Sequence, residues 1–264
     1  MKILLLMVNK DSLGEYHMPD NLKDNIDNEL LNSYADMLDE DIRYAVTSIS
    51  YECSQLKAIA IEAGDRQTEK TADRIINSCY RMLRMSEYKG MVLDGSGSEV
   101  IGRKIIETKS FFGEFISEVK KRISKRCELK AERNCETFIF VDREIFKYSL
   151  LLAVRRLVEY GSESITLTSK LKGSHFEVYL LSNTRLDTGL DMLLQEEVAK
   201  SDSEFIRACE VLSGKLNGNI KVSKKEIVIS VPVCTGDKFE SARKEIPEGI
   251  FSLFNIMLGD LVEM

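Results

Sequence analysis

Between Asp20 and Ala63 the chain contains neither glycine nor proline, and its apolar residues recur at steps of three and four. Leu22, Ile26, Leu30, Tyr34, Met37, Ile42, Val46, Ile49, Cys53, Leu56 and Ile59 therefore fall on one stripe of a long amphipathic helix. At 1.5 Å per residue such a helix is roughly 65 Å long. Gly64-Asp65 breaks it, and a second periodic stretch follows with Ala72, Ile75, Ile76, Cys79, Met82, Leu83 and Met85 on one face. Two antiparallel helices joined by a short turn make a hairpin. The shorter helix cannot cover the whole stripe of the longer one. A second copy of the chain is the expected cover, giving a parallel homodimer through a four-helix bundle. The single-chain alternative is that the carboxy-terminal half folds back over the stripe.

Charge narrows the function classes. The net charge is −6, and residues 20–63 alone carry ten acids against three bases. A nucleic-acid binder needs a cationic face, so nucleic acid is not an expected partner. The basic run KKRISKR at 120–126 reads as the solvated face of a helix, with a phosphate-binding patch as the sharper alternative. The six cysteines form no CxxC pair and there are only two histidines, His17 and His175, so no structural zinc site is expected. Reduced thiols in a cytoplasmic protein account for the cysteines. The opening MKILLLMV is too short to span a bilayer and reads as a short strand or packed segment. No membrane insertion is expected.

After Tyr88 the pattern changes. KGMVLDGSGSEV at 89–100 holds three of the fifteen glycines and reads as a connector. Beyond it strands and helices mix: GRKIIETK as a strand, FFGEFISEVKKRISKR as a helix, then CELKAER and TFIFVD as strands. DREIFKYSLLLAVRRLVEY is a strong helix with Asp142 as N-cap and Gly161 just past its end. SITLTSKLKGSHFEVYLLSN is a hairpin turning at Lys172-Gly173. EFIRACEVLSGKL is a further helix, and NIKVS and EIVISVPV pair around Lys224-Lys225. The expected class is α+β: a long helical hairpin followed by an α/β sandwich with helices on one sheet face. Residues 238–264 are rich in apolar side chains, among them Leu253, Phe254, Ile256, Met257, Leu258 and Leu261. They are expected to pack as a short helix, with a self-association or partner surface as the alternative.

The segment E-D-I-R-Y-A-V-T at 40–47, placed on the first helix of a hairpin, resembles the H-E-[IL]-R-[TN]-P-L-T motif of bacterial sensor histidine kinases. Asp41, Ile42, Arg43, Val46 and Thr47 match, Glu40 stands at the phosphoacceptor histidine, and Ala45 replaces the proline. The order of elements resembles that family's cytoplasmic core over roughly residues 30–233. The resemblance implies a hairpin dimerisation domain at 20–90 and an ATPase-type domain at 99–236, flanked by segments 1–19 and 237–264. It also implies a kinase fold of the histidine-kinase ATPase type.

The family's functional positions are replaced one by one. Aligned on Tyr160, LAVRRLVEY at 152–160 stands for the N-box N-L-L-x-N-A-[IVL]-K-[YF]. Leu152 takes the first asparagine, Arg156 the magnesium-binding one and Glu159 the lysine. The adenine-reading D-x-G-x-G is matched by Ser182-Asn183-Thr184-Arg185-Leu186, and the glycine run at a helix start by Ser203-Glu204-Phe205-Ile206. Imidazole is the nucleophile the chemistry needs, and His17 and His175 lie outside the motif. The resemblance with these losses implies an inactive, cofactor-free dimeric adaptor. Its implied partner is a response-regulator receiver domain, docked near Glu40, and Ile42, Arg43, Val46 and Ile49 form the dimer or partner face. Glu40 then supplies a fixed negative charge, or is only a good helix former. The competing class is a divergent ATP-binding kinase or phosphotransferase; a purely structural dimer is the third.

Overall fold

The computed structural model describes residues 20–90, 102–132, 135–183, 192–223, 226–234 and 252–261, with side chains except those of 20–32, 34–36 and 192–202. The readings of segment 1–19, of the connector core 91–101, of Thr184 and Leu186 and of the Lys224-Lys225 turn lie outside the described residues, as does all of 235–251. The chain divides into two compact units, Met1–Ala45 and Val46–Met264. The described part of the first is helical throughout, and Arg43 Nε pairs with Asp39 at 3.0 Å one turn away.

Helix α1 runs Asp20–Ala63, the full span free of glycine and proline. Gly64 takes φ +70°, the left-handed conformation that glycine adopts without steric cost, and Asp65 N donates to Ala60 O at 2.9 Å to close the helix end. Asp65 then caps α2, Arg66–Tyr88: one carboxylate oxygen accepts from Gln67 N at 3.0 Å and Thr68 N at 3.1 Å, the other from Thr68 Oγ1 at 2.6 Å. Those bonds, the Thr68 hydroxyl first, hold the Asp65 carboxyl below its ordinary range.

Within the second unit Val46, Cys53 and Ala60 of α1 are buried, as are Ala72, Cys79 and Leu83 of α2, and Lys57 reaches Asp73 at 2.7 Å. The stripe read from the sequence therefore splits. Val46, expected on the dimer or partner face, is fully buried within the chain. Ile49, Leu56 and Ile59 stay exposed, because one facing helix covers only the middle of a stripe this wide.

Among the described residues the sandwich carries two sheets. Strands β1 (Arg103–Glu107) and β3 (Phe138–Asp142) pair antiparallel, with Ile105 opposite Phe140. The larger sheet has the order β2-β4-β5-β7-β6, formed by Glu128–Ala131, Ser164–Lys172, His175–Ser182, Glu226–Pro232 and Asn219–Val222. Among the described residues only β2 against β4 is parallel. Alternation buries Ile165 and Leu167 of β4, Phe176, Val178 and Leu180 of β5, and Ile227, Ile229 and Val231 of β7. Over that face lie α3 (Thr108–Ile123), α4 (Arg143–Glu159) and α5 (Met192–Leu216). Phe112 joins the layers, edge-on to Phe146 at 6.2 Å and tilted against Phe176 at 5.9 Å between ring centroids. A Cβ at Gly218 would sit 2.0 Å from the Ser230 carbonyl oxygen, so only glycine lets β6 enter against β7.

The tail adds α6, Leu253–Leu258, and a 3-10 turn, Gly259–Leu261. Phe254 packs 5.8 Å from Phe115, and Arg122 lies over its ring while Nε donates to Asn255 Oδ1 at 2.8 Å. Gly259 sits so close to Tyr80 of α2 that a Cβ there would come within 2.7 Å of the phenol ring.

Candidate functional site

Asp142 starts α4 by accepting from Glu144 N at 2.9 Å and Ile145 N at 3.0 Å. From this capped end the helix carries Leu152, Arg155, Arg156 and Glu159 to the wall of a cavity of about 1030 Å³. Its other walls come from α2, α5 and α6. Arg156 lies 4.4 Å over the Tyr160 ring, 5.4 Å from the Phe205 ring of α5, and donates to Tyr160 Oη at 2.8 Å. A guanidinium has no oxygen to offer Mg²⁺, which takes oxygen ligands, so residue 156 does not fit the metal that the resemblance implies. Glu159 accepts from Arg155 Nε at 2.7 Å.

Ser182 and Asn183 are placed at the end of β5 and serve the sheet itself. The Ser182 hydroxyl is buried 2.5 Å from that of Ser162. Asn183 Oδ1 accepts from Ser164 N at 3.0 Å, and its own N–H donates to Ser164 O at 3.2 Å. Ser203 is exposed and lies well inside α5, which begins at Met192. The expectation of a degenerate glycine run at a helix start is corrected on this point, because residues 203–206 are in mid-helix. Arg156 and Glu159 thus share one cavity, and Ser182 and Asn183 share one strand end. On α1, Glu40 and Ile49 are exposed and Ile42 and Arg43 half-buried.

A charged fork that sequence reasoning missed engages two of the lining arginines, Arg84 and Arg155. Asp260 is buried and receives Arg84 Nη1 and Nη2 at 3.0 and 2.8 Å, and Arg155 Nη1 and Nη2 at 2.7 and 3.1 Å. The same guanidiniums reach the carboxy-terminal carbonyls of α6, Arg84 to Ile256 O at 3.0 Å and Arg155 to Met257 O at 2.7 Å. Burial alone would raise the Asp260 carboxyl, but Arg155 and Arg84 more than offset it and hold the group below the ordinary carboxylate range. Arg84 is lowered first by burial and then by the like charge of Arg155, with Asp260 opposing. Nothing in the sequence pairs residues so far apart; the one available signal was an acid, Asp260, just beyond the apolar run of Leu253–Leu258.

Burial disfavours thiolate formation at two of the cysteines. All six cysteines are free, and burial pushes the Cys127 thiol up to about 11 and Cys209 up to about 12. Among the described residues no cluster of histidine, cysteine, aspartate or glutamate is placed to hold a metal ion, and no helix is long and apolar enough to cross a membrane.

No protein-family model matches the sequence, and no curated protein matches it. Solved structures do. Full-length ShkA in complex with AMPPNP is similar at a TM-score of 0.51 and 10 % identity, over 78 % of this chain and 47 % of that one. The histidine kinase AdeS of Acinetobacter baumannii gives a TM-score of 0.48 and 12 % identity over 73 % and 97 %. A histidine kinase of Burkholderia phymatum STM815 gives 0.36 and 15 % over 74 % and 96 %. The chain spans about half the length of ShkA, and what the two share at this identity is architecture. The chain therefore has the fold of a histidine-kinase core, a long helical hairpin followed by an ATPase-type α+β sandwich.

Proposed function

We propose that the chain is a catalytically inactive, histidine-kinase-like adaptor that dimerises through its helical hairpin and docks a response-regulator receiver domain. In this reading residues 20–90 are the dimerisation domain, 99–236 a degenerate ATPase-type domain and 237–264 an extension beyond the family core. The observation that carries the reading is Arg156. It stands where the family's metal-binding asparagine is expected, and its cation rests on Tyr160 and Phe205. A cation there repels the metal that a kinase uses to hold its nucleotide. The exposed row Ile49, Leu56 and Ile59 supports a second copy as the cover of the hairpin. Glu40, exposed between Asp39 and Asp41, supports a permanently acidic docking point for a receiver with a basic rim.

The test is thermal unfolding of the full chain with ATP, with and without Mg²⁺. A ligand that binds the native state at a hundred times its Kd stabilises by about 2.7 kcal/mol. No metal-dependent shift is expected. A saturable stabilisation that needs Mg²⁺ contradicts the reading and favours a divergent nucleotide-binding kinase.

A further inference from the structure

We propose that the cavity between α2, α4, α5 and α6 is a metal-independent binding site for a small polyanion, a phosphorylated or polycarboxylated compound seated against an apolar wall. The inference goes beyond the adaptor reading, which assigns the chain no ligand.

Five guanidiniums line the cavity: Arg81 and Arg84 from α2, Arg155 and Arg156 from α4, and Arg207 from α5. Against them the lining sets two carboxylates, Glu159 and Glu204, and Asp260 adds a third at the fork. Positive charge therefore remains in excess. The three central cations are already engaged, Arg84 and Arg155 by Asp260 and Arg156 by the Tyr160 and Phe205 rings. Arg81 and Arg207 are different. Both are exposed, they come from different helices, and neither forms an ion pair with a described residue.

A guanidinium presents a planar fork that matches two oxygens of a phosphate or carboxylate. Two such forks, one from α2 and one from α5, suit a ligand with at least two anionic groups. A concave site whose lining is net positive also concentrates anions from solution. Tyr88, Phe205, Met85 and Met257 supply an apolar wall for the rest of the molecule, and the volume of about 1030 Å³ accommodates a compound of metabolite size. Guanidiniums replace the metal as the anion-binding element, so binding needs no divalent cation. A ligand held by Arg81 and Arg207 together ties α2 to α5, and so ties the hairpin to the sandwich.

The experiment is calorimetric titration of the full chain with sodium pyrophosphate in EDTA, with citrate in parallel and sodium chloride at matched ionic strength. Saturable binding with a Kd below about 1 mM is expected for one of the two probes. Tighter pyrophosphate assigns a phosphorylated ligand and tighter citrate a carboxylated one. The Arg81→Ala, Arg207→Ala double variant should bind at least about tenfold more weakly. Its unfolding midpoint without ligand should match wild type, since both side chains are exposed. Three results overturn the proposal: no saturation up to about 10 mM, binding that appears only with Mg²⁺, or a double variant that binds like wild type. The second result would also contradict the adaptor reading, whereas the first and third leave that reading intact.

Discussion

Replacing Asp260 by alanine should unfasten the tail from both helices it joins. The carboxylate is 8 % exposed, and the two guanidiniums it serves are each 13 % exposed. Without it Arg84 and Arg155 face each other as buried like charges, each keeping only a carbonyl of α6 and, for Arg155, Glu159. Removing one partner of a buried ion pair costs about 3–5 kcal/mol, because the remaining charge stays desolvated. The loss should be read by urea unfolding at pH 7 with protomer concentration held fixed, since association shifts apparent stability. Hydrogen exchange should show α6 and the end of α2 opening first.

Acid supplies a second arm. The Asp260 carboxyl is held below its ordinary range in the folded chain. Its stabilisation is therefore fully present above the unfolded value of roughly 3.9. It is lost as pH falls through the lower folded value. The stability gap between wild type and Asp260→Ala should accordingly close in strong acid. A gap under about 1 kcal/mol at neutral pH, or one that does not narrow in acid, would refute the reasoning.

Two further outcomes test the hairpin and the sheet. Ile49→Glu places a charge on the exposed row of α1; light scattering at micromolar concentration should show a dimer for wild type and a monomer for the variant, and a monomeric wild type contradicts the bundle. Gly218→Ala forces a methyl group to within 2.0 Å of the Ser230 carbonyl oxygen and should cost about 1–3 kcal/mol in urea unfolding, with the loss concentrated at β6 and β7.

Local signals in the chain were legible wherever backbone chemistry dictates structure. The span free of glycine and proline is α1 itself, Gly64 ends it, Asp142 caps α4 and Gly173 turns the β4–β5 hairpin at φ +62°. Helix starts without a strong cap were harder. α5 begins at Met192, ahead of the periodic stretch that marks its buried end, and α3 begins at Thr108, whose hydroxyl accepts from Thr137 N at 2.9 Å. Periodicity could not tell that one stripe on α1 serves two purposes, because burial by α2 and exposure beside it use the same step of three and four. The charged constellation was beyond reach for a different reason. Arg84, Arg155 and Asp260 meet only through tertiary packing, and each residue alone looks like an ordinary surface charge. The replaced family positions could be named from alignment, but what their substitutes do is a matter of packing. Arg156 stacks on rings, and Ser182 stitches a strand end.

The fork has a consequence for the way the chain is made. Arg84 precedes Asp260 by 176 positions, so the hairpin emerges from the ribosome long before its acidic fastener exists. Domains generally fold in order of synthesis, and contacts this distant close late. Throughout that interval the nascent α2 holds Arg84 and its neighbours open to water. Its early companion is α1. Packing of the hairpin thus has a head start over attachment of the sandwich, and translation itself separates the two events in time.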